Sequence, residues 1–429
     1  MGFRIAPIAP VLLGVICAQM ALGVSTPLIP LLLLRASAST TAIGIVASCY
    51  FLGFLAGAMT AQRIVMRVGH IRAFAVFAAT AADAALLMVF SDRAWEVAIL
   101  RLAVGYACSG LFLVAESWLN DRADGATRGR VFGAYLVASW GASAVGPLAL
   151  NVVDASPLLF VLVGLAFATA VLPMALTVQP NPEMRSRARL SLRALFRVSP
   201  VGAGCALASG LLNSAYYSLT PIYLRSLGYG AGQVAAFISA AMVAGLLVQV
   251  PVGVLSDHFG RRPVTLATLG LSLAAAIAMV LSGRLPFIWL ASLGFLYAGA
   301  SAPLYGLAAG QTNDRMQRGD YVAASGALLF TWSLGSSVGP LLAGVAMSRL
   351  GAPGLFAYLI AVLAAVGLFT IVRMVQRGEV PQAERGAYVP SLATPTRHVE
   401  LAQLVVHRLR HPLSTLPRWR ALLCGSASR

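Results

Sequence analysis

Three ionisable residues, Asp83, Arg101 and Glu116, stand inside otherwise apolar runs. Charge in a hydrocarbon setting is costly, so such groups mark proton relays, ion paths or substrate contacts by default. An isolated carboxyl there can carry a proton, whereas one paired with a guanidinium stays ionised. Asp83 lies near the middle of its run and Arg101 about six residues into the next, antiparallel run. The two therefore reach similar depths and are expected to be able to pair across helices. Glu116 stands near the opposite end of Arg101's run. Proton coupling is assigned to these three residues.

A second constellation is polar and uncharged. Gln19 and Asn213 are offset by 194 residues (213 − 19), as are Thr26-Pro27 and Thr220-Pro221 (220 − 26). A lone amide in an apolar helix is usually glue between helices, but two amides at matching places suggest a cavity shared by two repeats. Tyr216, Tyr217 and Tyr297 are expected to add amphipathic faces to it.

These residues must be positioned by membrane helices. Apolar residues make up 59% of the 429-residue chain and charged residues only 10%, against roughly a quarter charged in soluble domains. Runs of the ~20 apolar residues needed to cross a bilayer recur near 7–34, 41–65, 73–90, 95–118, 131–152 and 156–177. A second set lies near 200–224, 231–255, 264–283, 286–311, 321–345 and 352–374. The sets repeat one another. Asn120-Asp121-Arg122 and Gly146-Pro147 recur as Asn313-Asp314-Arg315 and Gly339-Pro340, both offset by 193 (313 − 120 and 340 − 147). Under that offset Glu116 meets Ala309 and Arg101 meets Gly294, so neither charge belongs to the shared framework. The expected organisation is a six-helix bundle over 1–177, a linker over 178–199, a second bundle over 200–375 and a basic, disordered tail over 376–429.

Every one of the 31 basic residues is Arg. Sixteen fall in one set of loops before the tail and five in the other set. The positive-inside bias thus places both termini in the cytoplasm and explains the net charge of +17 without nucleic acid. The five Cys residues lack metal-ligand or disulfide spacing, and no phosphate-cradling loop appears. There is no Ser/His/Asp arrangement and no catalytic carboxylate pair. The sequence therefore points to neither an enzyme, a metal site nor a cofactor.

Gly253-Val254-Leu255-Ser256-Asp257-His258-Phe259-Gly260-Arg261-Arg262 stands between the eighth and ninth runs. It resembles the G-x-L-x-D-x-x-G-R-R loop of the major facilitator superfamily. Arg101 and Gly105 resemble that family's R-x-x-x-G element, and Glu116-Ser117-Trp118-Leu119-Asn120 with Arg128-Gly129-Arg130 and Tyr135 resembles its YcaD-like branch. The equivalent first-half loop departs from the pattern, with Met66 at the Asp position and His70 and Ile71 at the Arg pair. The resemblance implies an all-α membrane protein of twelve helices in two six-helix repeats. It implies a bacterial inner-membrane secondary transporter working by alternating access, with a monomeric chain in contact with lipid. By the same resemblance Gly253, Asp257, Gly260, Arg261 and Arg262 form a cytoplasmic gate, with Asp257 meeting Arg128 and Arg130 at the start of span five. The expected cargo is a small molecule moved against protons, with Na⁺ as the alternative ion. Export of amphipathic or drug-like compounds leads; uptake of an organic acid or sugar and a transporter-derived sensor or scaffold are the rivals.

Overall fold

In hydrocarbon a backbone N–H or C=O finds no water, and an α-helix satisfies every such group within its own segment. The apolar runs accordingly fold as helices. The structure, a computed structural model, describes residues 8–122, 128–177, 191–282, 285–316 and 321–376. Its first half holds α1 (Ala9–Arg35), α2 (Thr40–Val68), α3 (His70–Leu87), α4 (Ala94–Arg122), α5 (Arg128–Val145), α6 (Leu159–Thr169) and α7 (Val171–Ala175). The second holds α8 (Leu192–Val198), α9 (Pro200–Ser226), α10 (Ala231–Phe259), α11 (Arg261–Leu281), α12 (Phe287–Ser301), α13 (Leu304–Asn313), α14 (Tyr321–Leu350) and α15 (Gly354–Gln376). No strand occurs among the described residues.

Helix covers all twelve expected runs, but ten of the described segments are long and apolar enough to span a membrane. The number is eleven when α8 and α9, bent by 119° at their junction, count as one span. The shortfall is the α6–α7 segment, Leu159–Ala175, which is apolar but shorter. The tail beyond residue 376 and most of the expected linker lie outside the described residues.

Local sequence sets the helix ends. Ser39 caps α2 by accepting the Ala42 N–H at 3.2 Å, one of the orphan donors that a helix start leaves open. The expected loop after span eight shrinks to one residue. α10 runs to Phe259, α11 begins at Arg261, and Gly260 turns the chain at φ +99°. Gly69 does the same between α2 and α3 at φ +85°, conformations that a Cβ disfavours. Gly146-Pro147 ends α5 in a 3-10 segment to Asn151, whereas α14 carries Pro340 and continues as α-helix to Leu350. The two halves therefore end this repeated element differently.

Small residues bring the helices close. A Cβ on Gly53 would strike the Leu102 carbonyl and one on Gly105 the Tyr50 carbonyl, so α2 and α4 pack backbone to backbone. The halves meet along two seams, α2 against α14 and α5 against α10. At the first seam Gly44 abuts the Pro340 carbonyl, and the Thr40 hydroxyl donates to the Gly344 carbonyl at 3.0 Å. This close seam lies at the Arg35 end of the bundle.

Candidate functional site

Between the two halves lies a cavity of about 290 Å³, walled by α1, α2, α4, α5, α9, α10, α14 and the α12–α13 junction. Its aromatic wall includes Tyr50, Phe51, Phe54, Trp140, Tyr305 and Trp332. Trp332, from the second half, stands edge-on to Phe51 at 6.0 Å and Phe54 at 6.2 Å from the first. That cluster links the halves through the cavity wall.

Gln19 and Asn213 both line the cavity. Gln19 Oε1 accepts from Ser143 Oγ at 3.1 Å, and Asn213 Oδ1 accepts from Ser301 Oγ at 3.1 Å. Each amide is thus fixed by a serine of a neighbouring helix. Tyr217 also faces the cavity, with its hydroxyl 3.4 Å from the Ala241 carbonyl. Tyr216 and Tyr297, expected at the wall, lie behind it. Tyr216 is one residue, about 100° of helix, away from Tyr217 and donates to the Gly294 carbonyl at 3.0 Å. Tyr297 packs on Tyr216 with ring centroids 4.6 Å apart.

Arg101 lines the cavity and is placed there by its own motif. Gly105, one turn later, lets α4 settle on the Tyr50 backbone, and the Arg101 guanidinium then lies 4.4 Å over the Tyr50 ring. The expected partnership with Asp83 is not formed. Asp83 is exposed on an outward stripe of α3 with Val76, Leu87 and the nearby Phe90. The inner face of α3 is made of Ala78, Ala81, Ala82 and Ala85, which leaves Asp83 pointing away from α4.

Glu116 is fully buried in α4 and accepts a bond from the Tyr135 hydroxyl of α5 at 3.3 Å. It lies 15 residues from Arg101 on the same helix, a separation of about 22 Å. Tyr305, a cavity residue, is within electrostatic reach of Glu116. The three residues expected to form one coupling network therefore occupy an outer face, the cavity and a buried interhelical contact.

At the α10–α11 corner Arg261 is buried and grips Asp314 twice, Nε to Oδ2 at 2.5 Å and Nη2 to Oδ1 at 3.3 Å. Its Nη1 lies 3.5 Å from Asp257. The motif thus ties α10, α11 and the end of α13 together within one half. Gly253 lies within α10 and Arg262 is buried at the start of α11. Arg130 is exposed, whereas the Arg128 side chain, the other expected partner of Asp257, lies outside the described residues. At the other end of the bundle Arg35 binds Asp154 at 2.6 Å and also donates to the Ala155 carbonyl. That bond holds the Asp154 carboxyl below its ordinary range. Among the described residues no group of three or more His, Cys, Asp or Glu is placed to hold a metal ion.

The sequence profile of the Major Facilitator Superfamily matches residues 11–316 and, in a second alignment, 202–428. The chain belongs to that superfamily. It is 28% identical over 352 residues to the uncharacterized MFS-type transporter YcaD of Salmonella enteritidis PT4, a match covering 80% of this chain and 89% of that one. The fold is similar to that of the nucleoside transporter NupG, with a TM-score of 0.71 at 12% identity over 86% of this chain and 98% of that one. It is also similar to a bacterial homolog of the human lysosomal transporter Spinster, with a TM-score of 0.70 at 15% identity over 91% and 100%.

Sequence reasoning missed three groups. Trp140, Trp332 and Gln249 at the cavity wall belong to helices it did not assign to the cavity. Gln249, an amide in the apolar middle of α10, was the available signal. His70, passed over as a departure from the motif, is buried with Nε2 2.9 Å from Ser117 Oγ. The Arg261–Asp314 pair was also missed, though Arg261 stands in the family motif and Asp314 in the repeated Asn-Asp-Arg.

Proposed function

We propose that this superfamily member is a proton-coupled secondary transporter that exports small amphipathic compounds by alternating access. The observation that carries this reading is the cavity between the halves, walled from both repeats and holding the matched amides Gln19 and Asn213. Its aromatic lining suits an amphipathic guest, since ligand sites combine apolar walls with a few placed polar groups. The Arg bias makes the Arg35 end periplasmic, so the seam at Thr40–Gly344 and Gly44–Pro340 seals the periplasmic side. All twelve helical runs cross the inner membrane in this reading, and both termini are cytoplasmic.

Glu116 is the proton carrier in this scheme. It is a buried carboxyl, bonded by Tyr135 and within electrostatic reach of Tyr305 at the cavity wall. A guest or a proton that shifts Tyr305 changes the surroundings of Glu116, which is the differential contact coupling requires. Asp257, Arg261 and Asp314 stiffen the cytoplasmic corner of the second half.

The test is a liposome assay with an internal pH dye. Addition of a transported compound is expected to move protons, and the sign of the flux gives direction; a flux opposite in sign to export turns the reading to uptake. Glu116→Gln is expected to lower proton flux by at least tenfold, about 1.4 kcal/mol in the coupled step, while counterflow of the compound persists. Full flux in Glu116→Gln removes that residue from the mechanism.

A further inference from the structure

Arg101 is the sole charged residue at the cavity wall among the described residues. It forms no ion pair with them, and its Nε is buried without a hydrogen-bond partner among them. Tyr50 covers one face of the guanidinium but accepts none of its five N–H groups. The Trp140 indole N–H at the same wall is likewise without a partner among the described residues, as is Gln249 Oε1. The remaining wall is aromatic and aliphatic, with serine hydroxyls and the amides already engaged.

The molecule contains its own reference for an arginine kept for architecture. Arg261 is buried and meets two carboxylates, Asp314 and Asp257. Arg101 is given close packing, through Gly105, and a ring to lie on, but no carboxylate. A guanidinium in such a cavity is complementary to a planar anion that takes two parallel N–H bonds. A cationic guest would be repelled there, and a neutral one would leave the guanidinium uncompensated.

We propose that the substrate of the central cavity carries one negative charge, foremost a carboxylate, on a compact aromatic or apolar body, and that Arg101 holds that charge. The body packs among Phe51, Phe54, Trp140, Tyr305 and Trp332, and the Trp140 N–H offers a further donor to the anion. The cavity volume of about 290 Å³ lies at the small end of ligand sites, which favours one- or two-ring acids. This inference rests on the transporter reading only in taking the cavity as the substrate site; it is independent of coupling and direction.

The experiment is a binding measurement on the purified full chain in detergent. Phenylacetate, indole-3-acetate and octanoate are titrated beside their primary amides and the corresponding amines, with thermal shift and calorimetric readouts. The acids are expected to bind at least about tenfold tighter than the matched amides, with the amines weakest. In Arg101→Gln that ratio is expected to fall to roughly one to three, and in Arg101→Lys to lie between, since a point charge lacks the bidentate fork. The wild-type ratio stands without any variant, so a poorly folded Arg101→Gln protein leaves the inference testable. Amides or amines binding as well as acids, no acid binding at all, or an unchanged ratio in folded Arg101→Gln each overturn it. Acids that bind as expected while no protons move would break the coupling scheme and leave this inference standing. Proton flux driven by amines alone would do the reverse.

Discussion

The α2–α3 and α10–α11 corners occupy equivalent places in the two halves and share one backbone device. Each is a single glycine at positive φ, Gly69 at +85° and Gly260 at +99°, joining two long helices. The residue after the glycine differs. The second half places Arg261 there, bound to Asp314 at 2.5 Å and facing Asp257. The first half places His70, bound to Ser117 at 2.9 Å and edge-on to Trp118. Asp121, the repeat mate of Asp314 (121 + 193), pairs instead with its neighbour Arg122 at 3.6 Å. The same turn is thus stitched by a buried ion network on one side and by a hydrogen bond on the other. A repeat keeps chain geometry more readily than electrostatics, and among the described residues the second corner is the one whose post-glycine residue is held by buried ion pairs.

The comparison breaks first at the arginine. Removing one partner of a buried ion pair leaves the other uncompensated, at a cost of about 3–5 kcal/mol. Arg261→Ala is therefore expected to be the most damaging change at either corner, read by thermal unfolding in detergent. His70→Ala loses one hydrogen bond and some packing, about 1–2 kcal/mol. A His70 variant less stable than the Arg261 variant would reverse the contrast. The glycines sharpen it from the other side. Gly69→Ala and Gly260→Ala each force a Cβ into positive-φ extended backbone that essentially only glycine adopts, at about 1–3 kcal/mol, and the two losses should be similar because the device is the same.

The smallest effect lies at the opposite end of the bundle. Asp154 is exposed and has a lowered pKa through its bond with Arg35. A depressed carboxylate contributes stability above its ordinary range and loses it as pH falls through the folded-state value. Asp154→Asn should therefore lower the unfolding temperature slightly near neutral pH and make no difference in strong acid. A difference that grows on acidification contradicts the assigned pair.

The helices were legible because apolar length and glycine or proline punctuation are local signals, and the superfamily because its motif is contiguous. Gln19 and Asn213 were legible through the repeat. The facing of single residues was harder, since rotation of a helix in a bundle is set by its neighbours. Asp83 is instructive, for alanine occupies both faces of α3, Ala79 exposed and Ala78 buried, so composition left the facing of Asp83 open. Trp140 and Trp332 gave no comparable signal. The His70–Ser117 contact joins residues 47 apart, and nothing in the spacing announces it.

The seam at Gly44–Pro340 and Thr40–Gly344 has a mechanical consequence. Where two backbones touch directly, no rotamer is available to absorb a displacement, so the halves must either stay in register there or part altogether. A methyl group inserted at Gly44 acts as a shim: it raises the energy of the closed arrangement against the Pro340 carbonyl and leaves the parted one untouched. The equilibrium between the two arrangements moves by that difference alone. One carbon atom at Gly44 thus sets the balance between the closed and the parted arrangement of this seam.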